Sequence, residues 1–233
     1  TDGMVKRAAN GHGGTLQSME RSHVIEEMKE NGIEWVFING VDNVLVKPVD
    51  PLLIGMSIHN KVLGAVKAIE KTDPKEKVGV FCRKNKKVGV IEYTEISEEM
   101  ANLRDDDRSL VYGDANAIFH LYNIKGLEKV SELSLPYHTA VKKAKYMDEK
   151  GKIVEGDKPN AYKFEMFIFD SYEMFDDVVV LRVKREEEFA PIKNAQGQDS
   201  PETARKLYKD YMNKVEYTNK YKDWSTNPIF DED

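Results

Sequence analysis

The sequence holds a single cysteine, Cys82, so no disulfide can form within the chain and the fold must stand on burial and polar pairing. Long apolar runs are also missing. The longest, Val178-Val179-Val180-Leu181 and Trp35-Val36-Phe37-Ile38, are strand-sized, well short of the ~18 residues a membrane helix needs. No membrane partner is therefore expected. There is no His-Glu-x-x-His zinc spacing, no Gly-x-Ser-x-Gly nucleophile elbow and no Walker phosphate loop. Positive charge is not in excess: 35 Lys+Arg against 41 Asp+Glu give a formal charge of −6, which argues against nucleic-acid binding through an overall field. No basic–apolar–small leader follows Thr1, and with the lone cysteine this sets a cytoplasmic expectation.

What is present is an ordinary soluble composition, 40% hydrophobic and 33% charged over 233 residues, enough for one large domain. The patterning predicts a loop through Gly14, an amphipathic helix over 16–30 and a buried strand over 34–40 running into an acidic turn. That is an α/β layout. It further predicts a helix over 51–60 and strands over 64–70, 78–83 and 87–92, the last two joined at Asn85-Lys86. A short helix begins at Ser97, and 110–122 reads as strand or strand–helix. Residues 125–147 are helix-prone and basic. Residues 162–175 read as a helix with an aromatic stripe, 178–184 as a buried strand, 189–198 as a loop, and 200–213 as a helix capped by Ser200 with Pro201 in its first turn. Residues 1–215 form one unit, and 216–233 read as a docking tail or fraying end.

Several residues could carry chemistry. Gly11-His12-Gly13-Gly14 precedes a helix, where backbone can approach a base or phosphate closely, although a tight turn needs the same glycines. Asp42 closes a buried strand, at the strand end where ligands of open α/β sheets bind; it suits Mg²⁺, or simply turns the chain with Asn43. Lys193 sits in the semi-apolar loop Phe189-Ala190-Pro191-Ile192-Lys193-Asn194-Ala195, and Lys163 on an aromatic helix face; either is a phosphate cation or a solvated lysine. Glu92, Tyr93 and Asn116 lie at strand ends as ligands or as structural partners. Cys82 reads as a small core residue.

Taken together, Asn10-Gly11-His12-Gly13-Gly14, Val41-Asp42-Asn43-Val44-Leu45-Val46-Lys47, Val78-Gly79-Val80-Phe81-Cys82-Arg83, Ile91-Glu92-Tyr93-Thr94-Glu95, Gly113-Asp114-Ala115-Asn116, Asp157-Lys158-Pro159-Asn160, the Phe189–Ala195 loop and Thr203-Ala204-Arg205 occur in an order that resembles the eukaryotic-type UDP-N-acetylhexosamine pyrophosphorylases, within the UDP-sugar pyrophosphorylase group. The resemblance runs from about Asn10 to Lys206. It implies a nucleotide-diphospho-sugar transferase fold, GT-A-like and Rossmann-like, with a mixed, mostly parallel sheet flanked by helices. The implied reaction makes UDP-sugar and pyrophosphate from UTP and a sugar 1-phosphate, with Mg²⁺ as cofactor. N-acetylglucosamine 1-phosphate is the favoured sugar substrate. By position in the motifs, Gly11 and His12 would lie against the uracil and Asp42 near the metal. Gly79, Glu92, Tyr93 and Asn116 would surround the sugar, while Lys163 and Lys193 would meet the phosphates as the catalytic lysines.

Two departures shape the expectation. The family's Leu-x-Gly-Gly-x-Gly-Thr-Arg-Leu-Gly nucleotide loop, with its following lysine, is absent from these 233 residues. The fold is therefore expected to be N-terminally incomplete, with an open apolar sheet edge or face, and the chain alone is expected not to turn over. His12 stands where acetylhexosamine enzymes show Asn and glucose-type relatives show His. A glucose or galactose 1-phosphate enzyme and a non-catalytic UDP-sugar-binding module remain as alternatives.

Overall fold

The computed structural model describes residues 8–217, so the expected tail over 216–233 lies almost entirely outside the described residues. At its centre is a six-stranded sheet whose pivot is β5 (Asp114–Asn123). One edge of β5 carries β2 (Gly64–Glu70), and β2 carries β10 (Val179–Val183) on its far side. The other edge is shared by β1 (Trp35–Asn39) and β3 (Val80–Lys84), and β3 continues into β4 (Lys87–Ile91). Asn85 and Lys86 make that hairpin turn with φ of +50° and +70°, the backbone sense that suits a two-residue connection between twisted strands.

The α/β class is as expected, but the mostly parallel sheet is not. Only β10 against β2 is parallel, and β5 runs antiparallel to β1, β2 and β3. The helix α3 (Pro51–His59) delivers β1 and β2 in the same direction, as a crossover does. Instead of pairing they leave a slot between them, and β5 fills it from the opposite direction. The second edge of β1 has no strand partner among the described residues. In the connection from β1 into α3, apolar side chains stand exposed: Val41 at 99%, Val49 at 77% and Leu52 at 60%.

Three helix expectations need correction. The single helix over 16–30 is two, α1 (Gly14–Arg21) and α2 (Val24–Glu30). Ser22 Oγ donates back to the Ser18 carbonyl at 2.7 Å and His23 turns to φ +58°, which breaks the run. The helix-prone stretch 125–147 is helical only through α5 (Ile124–Ser131); it continues as β6 (His138–Lys142) and β7 (Lys145–Met147). The predicted helix over 162–175 is strand β9 (Ala161–Glu165) followed by a 3-10 helix (Ile168–Met174). In β9 the exposed Tyr162 and Phe164 alternate with the half-buried Lys163 and Glu165, a period of two that pairs β9 antiparallel with β6. Lys163 therefore stands on a strand. β7 pairs separately with β8 (Ile153–Glu155). The remaining helices are α4 (Glu98–Asn102), α6 (Arg185–Glu188) and α7 (Pro201–Tyr217), with Ser97 capping α4 and Ser200 bonding the first turn of α7.

The main core fills the space between one sheet face and α1, α2, α5 and the 3-10 helix, around Leu16, Ile25, Tyr122, Leu127, Phe169 and Tyr172. Tyr122 and Tyr172 stack with ring centroids 5.1 Å apart. Beside them lies the fully buried His120 of β5. Its Nδ1 is 3.0 Å from the Tyr172 hydroxyl, and its Nε2 has no hydrogen-bond partner among the described residues. Burial, aided by nearby His12, pushes the His120 pKa down to about 3. The unfolded chain thus binds a proton near pH 6.5 that the folded chain refuses, and stability held above that pH is lost as pH falls toward 3. The loss amounts to about 1.4 kcal/mol per pH unit. Urea unfolding of His120→Gln and of the unsubstituted chain at pH 7 and pH 5 should show the substituted chain losing of order 2 kcal/mol less; equal losses would mean that His120 titrates freely when folded.

Candidate active site

The strands β1, β2 and β10 all point their C-terminal ends to one side of the sheet, where β5 and β3 begin, and most of the predicted residues gather there. Gly79 leads into β3 and Glu92 follows β4. The Asn116 N–H donates to the Gly79 carbonyl at 2.8 Å. Glu92 folds over Gly79 so closely that a β-carbon there would stand 2.7 Å from Glu92 Oε1. Only glycine leaves room for that carboxylate. Asn116 is buried, and its Oδ1 accepts from the Ile118 N–H at 3.0 Å. Its Nδ2 has no partner among the described residues and is free to donate to a ligand.

Glu92 and Tyr93 form one wall of a cleft of about 240 Å³ whose other walls include Glu95, His138, Glu165 and Phe167. Burial first, then Glu95 and the neighbouring carboxylates, raise the Glu92 pKa. His138, which sequence reasoning missed, organises this crowd. Its Nδ1 lies 2.8 Å from Glu95 Oε1 and its Nε2 2.9 Å from Asp170 Oδ2. Burial works against its proton, but the two carboxylates outweigh it and the pKa rises. The register of β6 on β9 sets His138 opposite Glu165, on the strand that also carries Lys163. Lys163 Nζ is engaged by Glu165 Oε1 at 2.8 Å. The β-branched Thr139 and Val141 were the available strand signal, hidden by the basic, helix-prone composition around them.

The Gly11 loop approaches the cleft from the other side. Gly11 has φ +87°, and a β-carbon on it would lie 2.2 Å from the Met166 carbonyl oxygen, so its glycine is required by the Met166 backbone. Asn10 and Gly13 bond the two faces of the Met166 peptide at 2.7 and 2.8 Å. The His12 ring lies 5.2 Å from Phe167 and 5.9 Å from Phe169, and its Nδ1 accepts the Ile168 N–H at 3.1 Å. Burial lowers its pKa, opposed by Glu165. Burial thus disfavours the charged form of His12, while His138, whose ring centroid lies 4.9 Å from that of Phe167, has its pKa raised by its carboxylate partners.

Asp42 and Lys193 lie on two loops that are zipped together. The Ile192 N–H donates to the Asp42 carbonyl at 2.8 Å and the Val44 N–H to the Ala190 carbonyl at 3.2 Å. Between them Asn43 is buried: its Nδ2 donates to the Glu188 carbonyl at 2.7 Å and its Oδ1 accepts the Ala190 N–H at 2.8 Å. Asn43 thereby takes the turn role of the Asp42-Asn43 pair. The Asp42 carboxylate makes no hydrogen bond or ion pair among the described residues, whereas Asn43 holds the chain. Lys193 is exposed, its Nζ 5.9 Å from the Phe189 ring centroid. No cluster of three or more His, Cys, Asp or Glu able to hold a metal is found among the described residues. One free carboxylate at a strand end fits Mg²⁺ whose remaining ligands are substrate phosphate and water, as this ion commonly takes. A larger cleft of about 610 Å³ opens at the ends of β2 and β10 beside Lys71, Asp114 and Arg182, and none of the predicted site residues lines it.

Beneath the two loops the Lys67 side chain is fully buried, with Nζ 2.7 Å from Asp50 Oδ2 and 3.0 Å from Glu188 Oε2. It sits at an irregularity: three residues of β5, Ala117 to Phe119, face this one residue of β2, and Ile118 has φ +59°. Lys47 adds a longer contact to Glu188, 3.6 Å.

A sheet of this order, with its polar residues collected at one set of strand ends, defines an α/β fold of the nucleotidyltransferase type. Residues 3–229 match the family described as UTP–glucose-1-phosphate uridylyltransferase, and the chain belongs to that family. It is 40% identical over 206 residues to the human UDP-N-acetylhexosamine pyrophosphorylase-like protein 1, covering 86% of this chain and 41% of that protein. It is 37% identical over 215 residues to the UDP-N-acetylglucosamine pyrophosphorylase of Saccharomyces cerevisiae, covering 88% and 44%. The solved structure of the Trypanosoma brucei uridine diphosphate N-acetylglucosamine pyrophosphorylase, in complex with inhibitor, matches with a TM-score of 0.68 at 32% identity, covering 79% of this chain and 36% of that one. The chain spans about two fifths of the length of the curated relatives it matches. No described helix is long and apolar enough to cross a membrane.

The carboxylate clasp on His138 can be tested directly. In Asp170→Asn the imidazole pKa, followed by NMR, should fall relative to the unsubstituted chain, because one of its two stabilising charges is gone. An unchanged titration would show that Asp170 does not hold the proton.

Proposed function

We propose that the chain is the sugar- and phosphate-binding part of a uridylyltransferase that makes UDP-N-acetylglucosamine and pyrophosphate from UTP and N-acetylglucosamine 1-phosphate. The observation that carries this reading is the packing of Glu92 on Gly79 with Asn116 beside them, in a chain whose relatives at 37–40% identity include UDP-N-acetylglucosamine pyrophosphorylase. A carboxylate, a free amide and a backbone bared by glycine are what sugar hydroxyl and acetamido groups need for orientation. Tyr93, 41% exposed, lines the same cleft as Glu92.

In the reaction a phosphate oxygen of the sugar 1-phosphate attacks the α-phosphorus of UTP. A P–O bond to the sugar phosphate forms as the P–O bond to pyrophosphate breaks, and no covalent bond to the protein is required. Alignment and charge neutralisation then supply the catalysis. Gly11, backed by His12, receives the uracil, and Glu92, Asn116 and Gly79 fix the sugar. Lys193, exposed on its zipped loop, meets the phosphates; Lys163 does so by exchanging Glu165 for phosphate oxygen. Mg²⁺, held by Asp42, would offset negative charge on the triphosphate when bound.

A pyrophosphate-exchange assay on the intact gene product with N-acetylglucosamine, N-acetylgalactosamine, glucose and galactose 1-phosphates tests the reading. Exchange fastest with N-acetylglucosamine 1-phosphate is expected, and none with any of the four would overturn it. Lys193→Ala should lower turnover about 100-fold or more, the scale of a lost positioned charge at a transition state; near-normal turnover would make it a loop lysine. Asp42→Asn should raise the Mg²⁺ concentration needed for half-maximal rate, and an unchanged Mg²⁺ titration would remove Asp42 from the metal site.

A further inference from the structure

We infer that Lys67 is a positioning residue for the metal and phosphate groups, acting through Glu188 to fix the Asp42 turn against the Lys193 loop. The inference rests on the reading of Asp42 and Lys193 as metal- and phosphate-binding groups. Neither residue touches the other's loop through its own side chain. What relates them is the backbone zipper through Asn43, and one end of that zipper is the Glu188 carbonyl. Glu188 ends the short helix α6, and its carboxylate is held from below by Lys67 Nζ at 3.0 and 3.2 Å. The lysine itself cannot wander, because it is fully buried on a central strand. The chain of fixation runs from the sheet through Lys67 and Glu188 to Asn43, and from there to both functional loops.

Asp50 does a different job. It caps α3, its Oδ1 accepting the Leu52 and Leu53 N–H groups at 3.0 and 3.3 Å, while its Oδ2 takes the other side of the Lys67 ammonium. It balances the buried charge without touching either loop. Lys47 approaches Glu188 from the surface and lies 4.8 Å over the Tyr211 ring, so it tethers α7 to the same point. The two carboxylates are therefore separable in function: Glu188 transmits position and Asp50 supplies charge and a cap.

Removing the Glu188 charge leaves its volume and a hydrogen-bond acceptor but loosens its hold on Lys67. A shift of about 1 Å between groups that share a phosphate costs about 100-fold in favourable cases. Binding of UDP-N-acetylglucosamine to the intact gene product, by isothermal titration in Mg²⁺ and in chelator, reads this without turnover. The unsubstituted chain should bind more tightly in Mg²⁺. In Glu188→Gln that gain should fall by about tenfold or vanish, while affinity in chelator changes less than about threefold. Asp50→Asn, which keeps a capping side chain, should retain most of the gain. Lys67→Met should repeat the Glu188→Gln result wherever its circular dichroism matches the parent chain. A full Mg²⁺ gain in folded Glu188→Gln, or equal losses with and without Mg²⁺, would overturn the positioning role. An unsubstituted chain that binds with no Mg²⁺ gain would overturn the metal reading of Asp42, and this inference with it.

Discussion

A lysine ammonium held inside a sheet dictates much of what surrounds it. Taking such an ion from water costs several kcal/mol, and the cost is offset only by close opposite charge in good geometry. Lys67 obtains this from two carboxylates that arrive from distant parts of the chain, Asp50 at the start of α3 and Glu188 at the end of α6. The irregular pairing of β2 with β5 lies at the same point, with Ile118 in a left-handed conformation braced by the Asn116 amide. The bulge that accommodates the lysine therefore also sets the orientation of Asn116, one of the candidate site residues. Site geometry and buried charge are one arrangement.

The cleft beside Glu92 poses the opposite electrostatic problem. Glu92, Glu95, Glu165 and Asp170 crowd one small volume, and their mutual repulsion would open it without compensation. His138 answers two of them at once and Lys163 answers a third. Glu92 is left with a raised pKa, first because it is buried and then because Glu95 and the other carboxylates stand near it. That leaves its carboxyl the acceptor or donor of the group, suited to a neutral polyhydroxyl ligand more than to a phosphate. His12 and His138 both pack against Phe167, yet burial lowers the pKa of one and carboxylate neighbours raise that of the other. Composition cannot tell two such histidines apart; their partners can.

Which features were legible follows the range of the interaction behind each. β1, β2, β4 and the Asn85-Lys86 hairpin depend on local alternation and turn chemistry, and the sequence pattern shows them. Asp42, Glu92 and Asn116 stand at strand ends as expected because strand ends can be read from the same pattern. The antiparallel insertion of β5 between β1 and β2 is a long-range choice with no local marker. The segment over 162–175 misled for a physical reason: Tyr162, Met166, Phe169 and Tyr172 fall at helical spacing while Tyr162 and Phe164 fall at strand spacing, so one composition satisfied two periods and only the pairing with β6 decides. Lys67 and Glu188 were invisible because nothing about an isolated lysine or glutamate announces burial; 121 positions separate the partners.

The candidate site is divided between two bodies of structure. Asp42, Gly79, Glu92 and Asn116 belong to the six-stranded sheet, whereas Lys163, Glu165 and His138 belong to the small β6–β9 ribbon. Three contacts sew the ribbon down: the Gly11 loop on the Met166 peptide, the His12 imidazole on the Ile168 N–H, and the His138 imidazole between Glu95 and Asp170. The first two involve the glycine-rich segment assigned to the nucleotide, and the third involves the turn assigned to the sugar. Lys163, paired with Glu165 on that ribbon, therefore owes its place relative to the main sheet to those three contacts.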